Sequence, residues 1–299
     1  MTYPRLREGD TVVLFSPAGP VPNDGRLERA QETLERTGLR VRVATHAMAR
    51  RGYLAGSDDE RLTDLNDALR DPDVRGLFAL RGGYGTMRLL PYVDYDALRR
   101  DPKVVIGYSD LTALLNTMTS RTGVLTFHGP VASSGAWSDR VIGWLRGALF
   151  EGDSIGSLHA PASYVITPGS ASGRLAGGNL SLIAGLVGTP YAIDFSDAIV
   201  LIEEVDEAPY RMDRMLTQLR LADAFRDARG IIVGKCSNCD VPDDHIYGDM
   251  KLRDVLEEQL RDRGSPILAD IEVGHIEEQW TLPIGATARL DTGTRTLSF

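Results

Sequence analysis

A serine lies where a predicted strand gives way to a predicted helix. The apolar run Val104–Ile106 is typical of a buried strand, and the leucines that begin at Leu111 are spaced as one face of a helix. Ser109 stands at the apex of the turn between them, a position that open α/β folds direct into the crevice at the carboxyl end of the sheet. The first N–H groups of the helix point to the same place and suit an oxyanion on an attacked carbonyl. The pattern therefore predicts a nucleophilic serine.

A structural interpretation of the same turn competes with this one. Serine and aspartate are both favoured at helix N-caps, so Ser109 or Asp110 could serve only as a cap. The turn also differs from the Gly-x-Ser-x-Gly elbow of α/β-hydrolases, because Leu111 occupies the position of the second glycine. These residues alone leave both interpretations open.

A glycine-rich loop follows the preceding predicted strand, Leu77–Leu80. The loop has the sequence Arg81-Gly82-Gly83-Tyr84-Gly85. Such a backbone can approach a ligand closely and present N–H groups without obstruction, so it could give a second hydrogen bond to an oxyanion. A dinucleotide phosphate loop is the alternative, but the spacing is not Gly-x-Gly-x-x-Gly and the loop does not follow the first strand. We therefore expect no nicotinamide or flavin cofactor.

A serine hydroxyl needs a nearby base, and histidine is the usual one because its pKa lies near neutrality. The chain has five histidines, His46, His128, His159, His245 and His275. His128 and His275 are the stronger candidates, since each ends a predicted strand, from which a side chain can reach a crevice. Either could instead be a structural histidine bonded to a carbonyl, and the residues themselves do not choose between them.

The histidine in turn needs a carboxylate that accepts its Nδ1 proton. Glu203 and Glu204 end the predicted strand Ala198–Ile202, so one of them must point to the covered side of the sheet, where an unpaired carboxylate is costly. The alternative is that both are solvent-facing residues at a strand end, which is the commoner place for glutamate.

A pair of cysteines has the spacing of a redox or metal motif, Cys236-Ser237-Asn238-Cys239. No second pair accompanies it, and no obvious helix begins there. Ordinary, partly buried cysteines are the favoured interpretation, and we expect no metal site.

Short apolar runs alternate with helical periods through the first half of the chain, a pattern typical of βαβ units around a parallel sheet. The run Thr11–Phe15 predicts the first strand, and Ser57 and Glu60 have capping-box spacing at the start of a helix that extends to about Arg70. Periodicity lapses between Glu151 and Ser172. We therefore predict an α/β domain over residues 1–150, a linker over 151–172 and a second domain over 173–299.

The composition narrows the class of protein. The 299 residues are 42% apolar and 25% charged, as in soluble globular proteins, and no apolar run reaches the length of a signal peptide or a membrane span. Two cysteines are too few for a disulfide framework, which predicts a cytoplasmic protein. A net charge of −9 argues against a nucleic-acid partner, so a small substrate is expected.

Taken together, the motifs make the sequence similar to the LD-carboxypeptidase family, which includes muramoyl-tetrapeptide carboxypeptidases and microcin C immunity peptidases. The similarity extends from about Val12 to Ile284. Its landmarks are Arg81-Gly82-Gly83-Tyr84-Gly85, Gly107-Tyr108-Ser109-Asp110, Gly177-Gly178-Asn179-Leu180, Gly188-Thr189-Pro190, the segment from Glu203 to Arg211, and Gly274-His275 before Thr281-Leu282-Pro283.

The resemblance implies catalytic residues in the order Ser, Glu, His, which fall on Ser109, Glu203 and His275. The backbone N–H groups of Gly83 and Asp110 would then hold the oxyanion. The resemblance also implies an N-terminal, flavodoxin-like parallel α/β lobe, a β-rich C-terminal lobe, an active site in the cleft between them and a homodimer, with neither metal nor cofactor. Members usually have Asp where this chain has Glu204, so the two glutamates could exchange roles.

The activity that the resemblance implies is hydrolysis of an L,D-type peptide bond, which releases terminal D-alanine from a murein tetrapeptide during cell-wall recycling. An immunity-type peptidase that cuts a peptide-nucleotide antibiotic is the nearest alternative, although the short stretch before Gly177 leaves little room for an elaborate specificity loop. A non-catalytic α/β binding protein, with Ser109 as a helix cap, is the alternative from another class.

Overall fold

The computed structural model describes residues 1–135, 137–151, 155–240, 250–261 and 264–299. These residues form two compact units. Unit 1 comprises Met1–Ile155 and Trp280–Gly285, and unit 2 comprises Gly156–Gln279 and Ala286–Phe299. Of the candidate histidines, His245 lies outside the described residues.

Unit 1 is built on a six-stranded sheet. Its strands are β1 (Thr11–Phe15), β2 (Arg40–Val43), β3 (Val74–Ala79), β4 (Val104–Gly107), β5 (Thr126–His128) and β12 (Leu282–Ile284). They lie in the order β2-β1-β3-β4-β5-β12, in which the first five are parallel and β12 pairs antiparallel with β5. The order 2-1-3-4-5 is that of flavodoxin-like folds, which bind ligands at the carboxyl ends of β1 and β3, where the strand order reverses. The predicted parallel α/β lobe is confirmed.

The helices of unit 1 follow the predicted alternation with strands. They are α1 (Asp24–Glu35), α2 (Asp58–Arg70), α3 (Tyr95–Arg100), α4 (Leu111–Thr122) and α5 (Asp139–Arg146). The predicted capping box at the start of α2 is confirmed, because Ser57 Oγ accepts the Glu60 N–H and the Glu60 carboxylate accepts the Ser57 N–H at 2.7 Å. Two 3₁₀ turns, Thr86–Arg88 and Leu90–Tyr92, lie between β3 and α3, and a π turn, Gly147–Glu151, follows α5.

Unit 2 is built on an eight-stranded sheet in which four central strands are parallel. Its strands are β6 (Ser157–His159), β7 (Tyr164–Thr167), β8 (Ser170–Asn179), β9 (Ala198–Val205), β10 (Gly230–Ser237), β11 (Ile267–Gly274), β13 (Thr287–Asp291) and β14 (Thr296–Ser298). They lie in the order β6-β14-β13-β8-β9-β10-β11-β7. The helices are α6 (Leu180–Leu186), α7 (Pro209–Leu221) and α8 (Leu252–Leu260). The predicted β-rich second lobe is therefore confirmed.

Two segments belong to elements that the sequence pattern did not indicate. The predicted linker over 151–172 contributes β6, β7 and the start of β8 to the second sheet. Strands β6 and β7 have only three and four residues and contain few buried positions, so they carry almost no periodic signal. The segment Trp280–Gly285 lies within the predicted second domain, but its strand β12 completes the sheet of unit 1.

Candidate active site

The serine turn has a backbone conformation that a simple helix cap does not require. Ser109 has a φ of 64°, in the left-handed region that is rare for residues other than glycine and costs about 1–3 kcal/mol. Asp110 occupies the N-cap position of α4, yet its side chain makes no hydrogen bond to the helix. A strained strand-to-helix turn is typical of a nucleophile elbow. The geometry therefore favours a functional role for this turn over the capping interpretation.

Asp110 instead fixes the end of the glycine loop against the serine turn. Its Oδ2 accepts the Thr86 N–H at 2.8 Å, and its main-chain oxygen accepts the Thr86 hydroxyl at 2.6 Å. The side chain is fully buried, and this burial raises the pKa of Asp110 although N–H groups of Thr86 and Gly85 bond to it. The two loops that were predicted to hold an oxyanion are thus joined by buried hydrogen bonds.

The glycine loop packs directly on the serine. A Cβ atom added at Gly82 would lie 2.9 Å from Ser109 Cβ and 3.1 Å from Ser109 Oγ, which is closer than real side chains allow. Gly83 has a φ of 114°, and a Cβ there would lie 3.2 Å from the Cα of Gly19. The absence of side chains at Gly82 and Gly83 therefore lets the loop lie against the nucleophile on one side and the segment after β1 on the other.

A buried arginine supports the glycine loop and the segment after β1. Arg61, on α2, donates to the main-chain oxygen of Pro17 and pairs with Asp58, and its guanidinium is wholly inaccessible to solvent. A Cβ atom at Gly85 would lie 2.5 Å from its Nη1 atom, so the glycine loop rests on the guanidinium. Burial lowers the pKa of Arg61, and the Asp58 carboxylate opposes that effect.

In unit 2, a histidine and a glutamate form a close pair. His275 Nδ1 lies 2.8 Å from Glu203 Oε2. The Glu203 side chain is fully buried and that of His275 is 18% exposed. Burial raises the pKa of Glu203, while the hydrogen bond and the charge of His275 act in the opposite direction. The pairing through Nδ1 fixes the orientation of the ring, as a carboxylate does in a catalytic triad.

Glycines in the sheet make this pair possible. Glu203 lies in the buried part of β9, His275 directly follows β11, and β10 lies between those strands. A Cβ atom at Gly234 of β10 would lie 3.2 Å from Glu203 Cβ, and one at Gly274 would lie 3.2 Å from Glu203 Oε2. Because neither glycine carries a side chain, the imidazole can reach across β10. The Ser237 hydroxyl holds the main-chain oxygen of His275 at 2.9 Å.

The neighbouring glutamate has different contacts. Glu204 Oε1 accepts a hydrogen bond from Asn179 Nδ2 at 2.8 Å, and Glu204 Oε2 accepts both the N–H and the hydroxyl of Ser181. These bonds tie β9 to the start of α6. Glu203, and not Glu204, is therefore the carboxylate that lies against the His275 ring.

Comparison with known protein families accounts for both units. The LD-carboxypeptidase N-terminal domain matches residues 12–129, and the LD-carboxypeptidase C-terminal domain matches residues 172–290. The chain belongs to the LD-carboxypeptidase family. The resemblance predicted from the motifs is therefore confirmed, and so is its assignment to a family of serine-type carboxypeptidases.

Relatives of this family member come from several bacteria. A probable murein peptide carboxypeptidase of Bacillus subtilis is 38% identical over 97% of this chain and 92% of the relative. A murein tetrapeptide carboxypeptidase of Pseudomonas aeruginosa is 30% identical over 94% of this chain and 92% of the relative.

The LD-carboxypeptidase fold is also shared with a solved structure of the microcin C7 self-immunity protein MccF, a protein of Escherichia coli. The TM-score is 0.91 with 26% identity, over 100% of this chain and 98% of the other. A second structure of MccF, in complex with aspartyl sulfamoyl adenosine, has a TM-score of 0.90 at 25% identity over the same shares of the two chains.

Three other candidate histidines of this LD-carboxypeptidase family member lie among the described residues. His128 is fully buried in β5, and its ring packs edge-on against Tyr108 with the centroids 6.0 Å apart. His46 Nδ1 lies 2.8 Å from Asp64 Oδ1 and helps to fix the loop after β2. His159 lies in β6, a strand at the edge of the second sheet.

The two cysteines are free thiols with little thiolate character. Cys239 is fully buried and Cys236 is partly exposed. Burial raises the pKa of Cys239 to about 11 and that of Cys236 well above its ordinary value, which disfavours the thiolate needed for redox chemistry or metal binding. Within the described part of the chain, no group of three or more His, Cys, Asp or Glu residues is arranged to hold a metal ion. No helix in that part is both long and apolar enough to cross a bilayer.

Two residues that support the site were not predicted from the sequence. Gly234 carries no local signal, because its importance depends on the register of three strands that are far apart in sequence. Arg61 did carry a local signal, because it lies on the buried face of α2 together with Leu65 and Leu69. A charged residue at an otherwise apolar position of a helix face indicates a buried polar role.

Proposed function

We propose that this protein is a serine LD-carboxypeptidase that releases the terminal D-alanine of a murein tetrapeptide by hydrolysing an L,D-type peptide bond. Ser109 is the nucleophile, His275 the general base and Glu203 the residue that orients the histidine. The observation that carries the proposal is the buried contact between His275 Nδ1 and Glu203 Oε2 at 2.8 Å. The names of the murein peptide carboxypeptidases among the relatives support the substrate class.

The reaction is an acyl transfer in two halves. The oxygen of Ser109 attacks the carbonyl carbon of the scissile amide while His275 Nε2 takes the hydroxyl proton, and Glu203 stabilises the imidazolium that forms. Backbone N–H groups of Gly83 and Asp110 hold the oxyanion, which collapses as the amine of D-alanine leaves with the proton from His275. Water then attacks the acyl-enzyme with the same histidine as base, and the shortened peptide leaves as a carboxylic acid.

Mass spectrometry of the products tests the activity. The purified protein should remove a single alanine from a tetrapeptide that ends in D-alanine, and it should leave the same peptide ending in L-alanine intact. Ser109→Ala should abolish turnover, while Ser120→Ala, a change on the exposed side of α4, should not. Turnover by the Ser109→Ala protein at the wild-type rate would refute the assignment of the nucleophile.

A second candidate function is cleavage of an aminoacyl-nucleotide antibiotic. The match to MccF, a self-immunity protein whose solved complexes hold an aspartyl sulfamoyl nucleoside, favours it. The short segment before Gly177 favours the murein peptide, because it leaves little room for a further specificity loop. Assay of both substrates with one enzyme preparation separates the two, and the proposal expects the larger kcat/KM for the tetrapeptide.

We also propose that the protein is cytoplasmic and forms a homodimer. A cytoplasmic homodimer agrees with the family resemblance and with two free thiols in the chain. Light scattering on the purified protein should give twice the 32.6 kDa mass of one chain.

A further inference from the structure

Unit 1 contains an open pocket of about 530 Å³ at the carboxyl ends of β1 and β3. Its walls come from the segment after β1, the loop after β2 and the glycine loop. The lining residues are Gly19, Pro20, Arg50, Gly52, Tyr53, Arg81, Gly83 and Tyr84. Of the described residues that line it, two are arginines and none is acidic, so the pocket favours an anion.

The pocket begins directly beside the nucleophile. Gly82 touches the Ser109 side chain, and its neighbour Gly83 lines the pocket. Gly19, which also lines the pocket, donates its N–H to the main-chain oxygen of Gly82 at 2.9 Å. Two glycines of the loop therefore lie between Ser109 and the pocket. Because they have no side chains, they keep the distance between Ser109 and the pocket short.

The loop that carries Arg50 and Tyr53 is anchored although both side chains are exposed. The Ser16 hydroxyl donates to the main-chain oxygen of Ala47 at 2.7 Å, and the Ala55 N–H donates to the main-chain oxygen of Ala18 at 2.9 Å. Between these points, Arg51 and Leu54 exchange two main-chain hydrogen bonds across a tight turn. A fixed backbone lowers the entropy that these side chains lose when a ligand binds.

Arg81 and Tyr84, which also line the pocket, make contacts that orient their side chains. Arg81 Nη1 donates to the main-chain oxygen of Pro20 at 2.8 Å, which orients the guanidinium and leaves the planar fork further donors. Tyr84 packs edge-to-face with Tyr53, with the ring centroids 5.7 Å apart. The pocket thus combines two guanidinium groups with an aromatic wall that suits a small apolar side chain.

The geometry points to a subsite for the leaving residue, in which Arg50 and Arg81 bind its terminal carboxylate. This inference rests on the proposed carboxypeptidase function. A carboxypeptidase must recognise a free carboxylate one residue beyond the attacked carbonyl, and one residue spans at most about 3.6 Å. The carboxylate site must then border the nucleophile, as this pocket does. Guanidinium groups suit the task because they can form paired hydrogen bonds with a carboxylate.

Kinetics with two matched peptides test the subsite. One ends in D-alanine with a free carboxylate, and the other ends in D-alaninamide. The wild-type enzyme should prefer the free acid, and Arg50→Gln or Arg81→Gln should lower kcat/KM for the acid about 10- to 100-fold, mainly through KM. Hydrolysis of the amide should change little. Arg36→Gln, at the exposed end of α1, is the control and should leave both rates unchanged.

An equal loss for both peptides, or an unchanged preference for the acid, would overturn the subsite. Calorimetric titration of the same peptides into the Ser109→Ala protein gives a readout that does not depend on turnover. There, Arg50→Gln should weaken binding of the acid alone. Arginine-dependent binding without hydrolysis by the wild-type enzyme would leave the subsite standing and refute the proposed function. Hydrolysis of the acid at a rate that neither arginine substitution changes would refute the subsite and leave the proposed function standing.

Discussion

His275 Nδ1 lies 2.8 Å from Oε2 of Glu203, and the glutamate side chain is completely buried. Burial raises the pKa of this carboxyl group, and the imidazole is the partner that opposes this effect. Burial of the Glu203 carboxyl group costs the fold free energy. This cost is useful only if the glutamate orients the imidazole ring of His275. Stability and activity are therefore expected to respond in opposite directions when Glu203 is changed.

Glu203→Gln removes the ionisable group and keeps the shape of the side chain. Because burial raises the pKa of Glu203 in the folded protein, the free energy of unfolding of the wild type should fall as pH rises from below the unfolded-state pKa through the folded-state pKa. Glutamine lacks this dependence. Urea unfolding should therefore show the variant gaining stability relative to the wild type as the pH is raised from about 4, where the carboxyl group of the unfolded state ionises.

The same variant should lose activity roughly 10⁴-fold, because an amide favours the wrong tautomer of the histidine. Glu204→Gln is the comparison, since Glu204 bonds Asn179 and Ser181 and does not orient the ring. It should cost stability and reduce kcat much less. A stability difference between Glu203→Gln and the wild type that is flat across this pH range would contradict the account of Glu203.

Gly82→Ala should impair catalysis without unfolding the protein. The added Cβ would lie 2.9 Å from Ser109 Cβ, so the serine or the loop must shift. A displacement of this size near a nucleophile can lower kcat about 100-fold. Gly143→Ala is a matched control in α5, where an added Cβ meets nothing within 4 Å, and it should leave kcat unchanged. Equal kcat values for the two variants would argue against close packing of the loop on Ser109.

Arg61→Met should destabilise unit 1. It leaves the buried oxygen of Pro17 without its donor, which costs about 1–3 kcal/mol, and it leaves the half-exposed Asp58 with Arg88 as its arginine partner. Arg99→Met removes an exposed pair with Asp96 and should cost less than about 1 kcal/mol. Thermal unfolding of both variants measures the contrast, and similar melting temperatures would show that Arg61 does not hold the loops.

Local patterns predicted the elements that carry the site. The capping spacing of Ser57 and Glu60 and the apolar strand that leads into Glu203 are short-range features, and both occur in the structure, where β9 continues to Val205. The fit of His275 against Glu203 depends instead on Gly234, in a third strand. No local pattern encodes that register, so the sequence left two histidines and two glutamates open until the family resemblance was considered.

Pairing between strands that are far apart in sequence explains where else the structure differs from the sequence predictions. Leu282 pairs with His128 across about half of the chain, so β12 could not be assigned to the first sheet from its neighbours in sequence. The short strands between Ser157 and Thr167 are stabilised by their sheet partners and not by an apolar repeat of their own. Tertiary contacts, more than local propensity, decide such segments.

We propose above all that His275 is the general base that activates Ser109. Labelling with a fluorophosphonate, followed by intact-mass spectrometry and peptide mapping, tests it directly. We expect one adduct on Ser109 in the wild type, none in Ser109→Ala, and a labelling rate lowered by at least about 1,000-fold in His275→Ala, with His159→Ala as an unaffected control. Labelling of Ser109 at the wild-type rate in His275→Ala would contradict it.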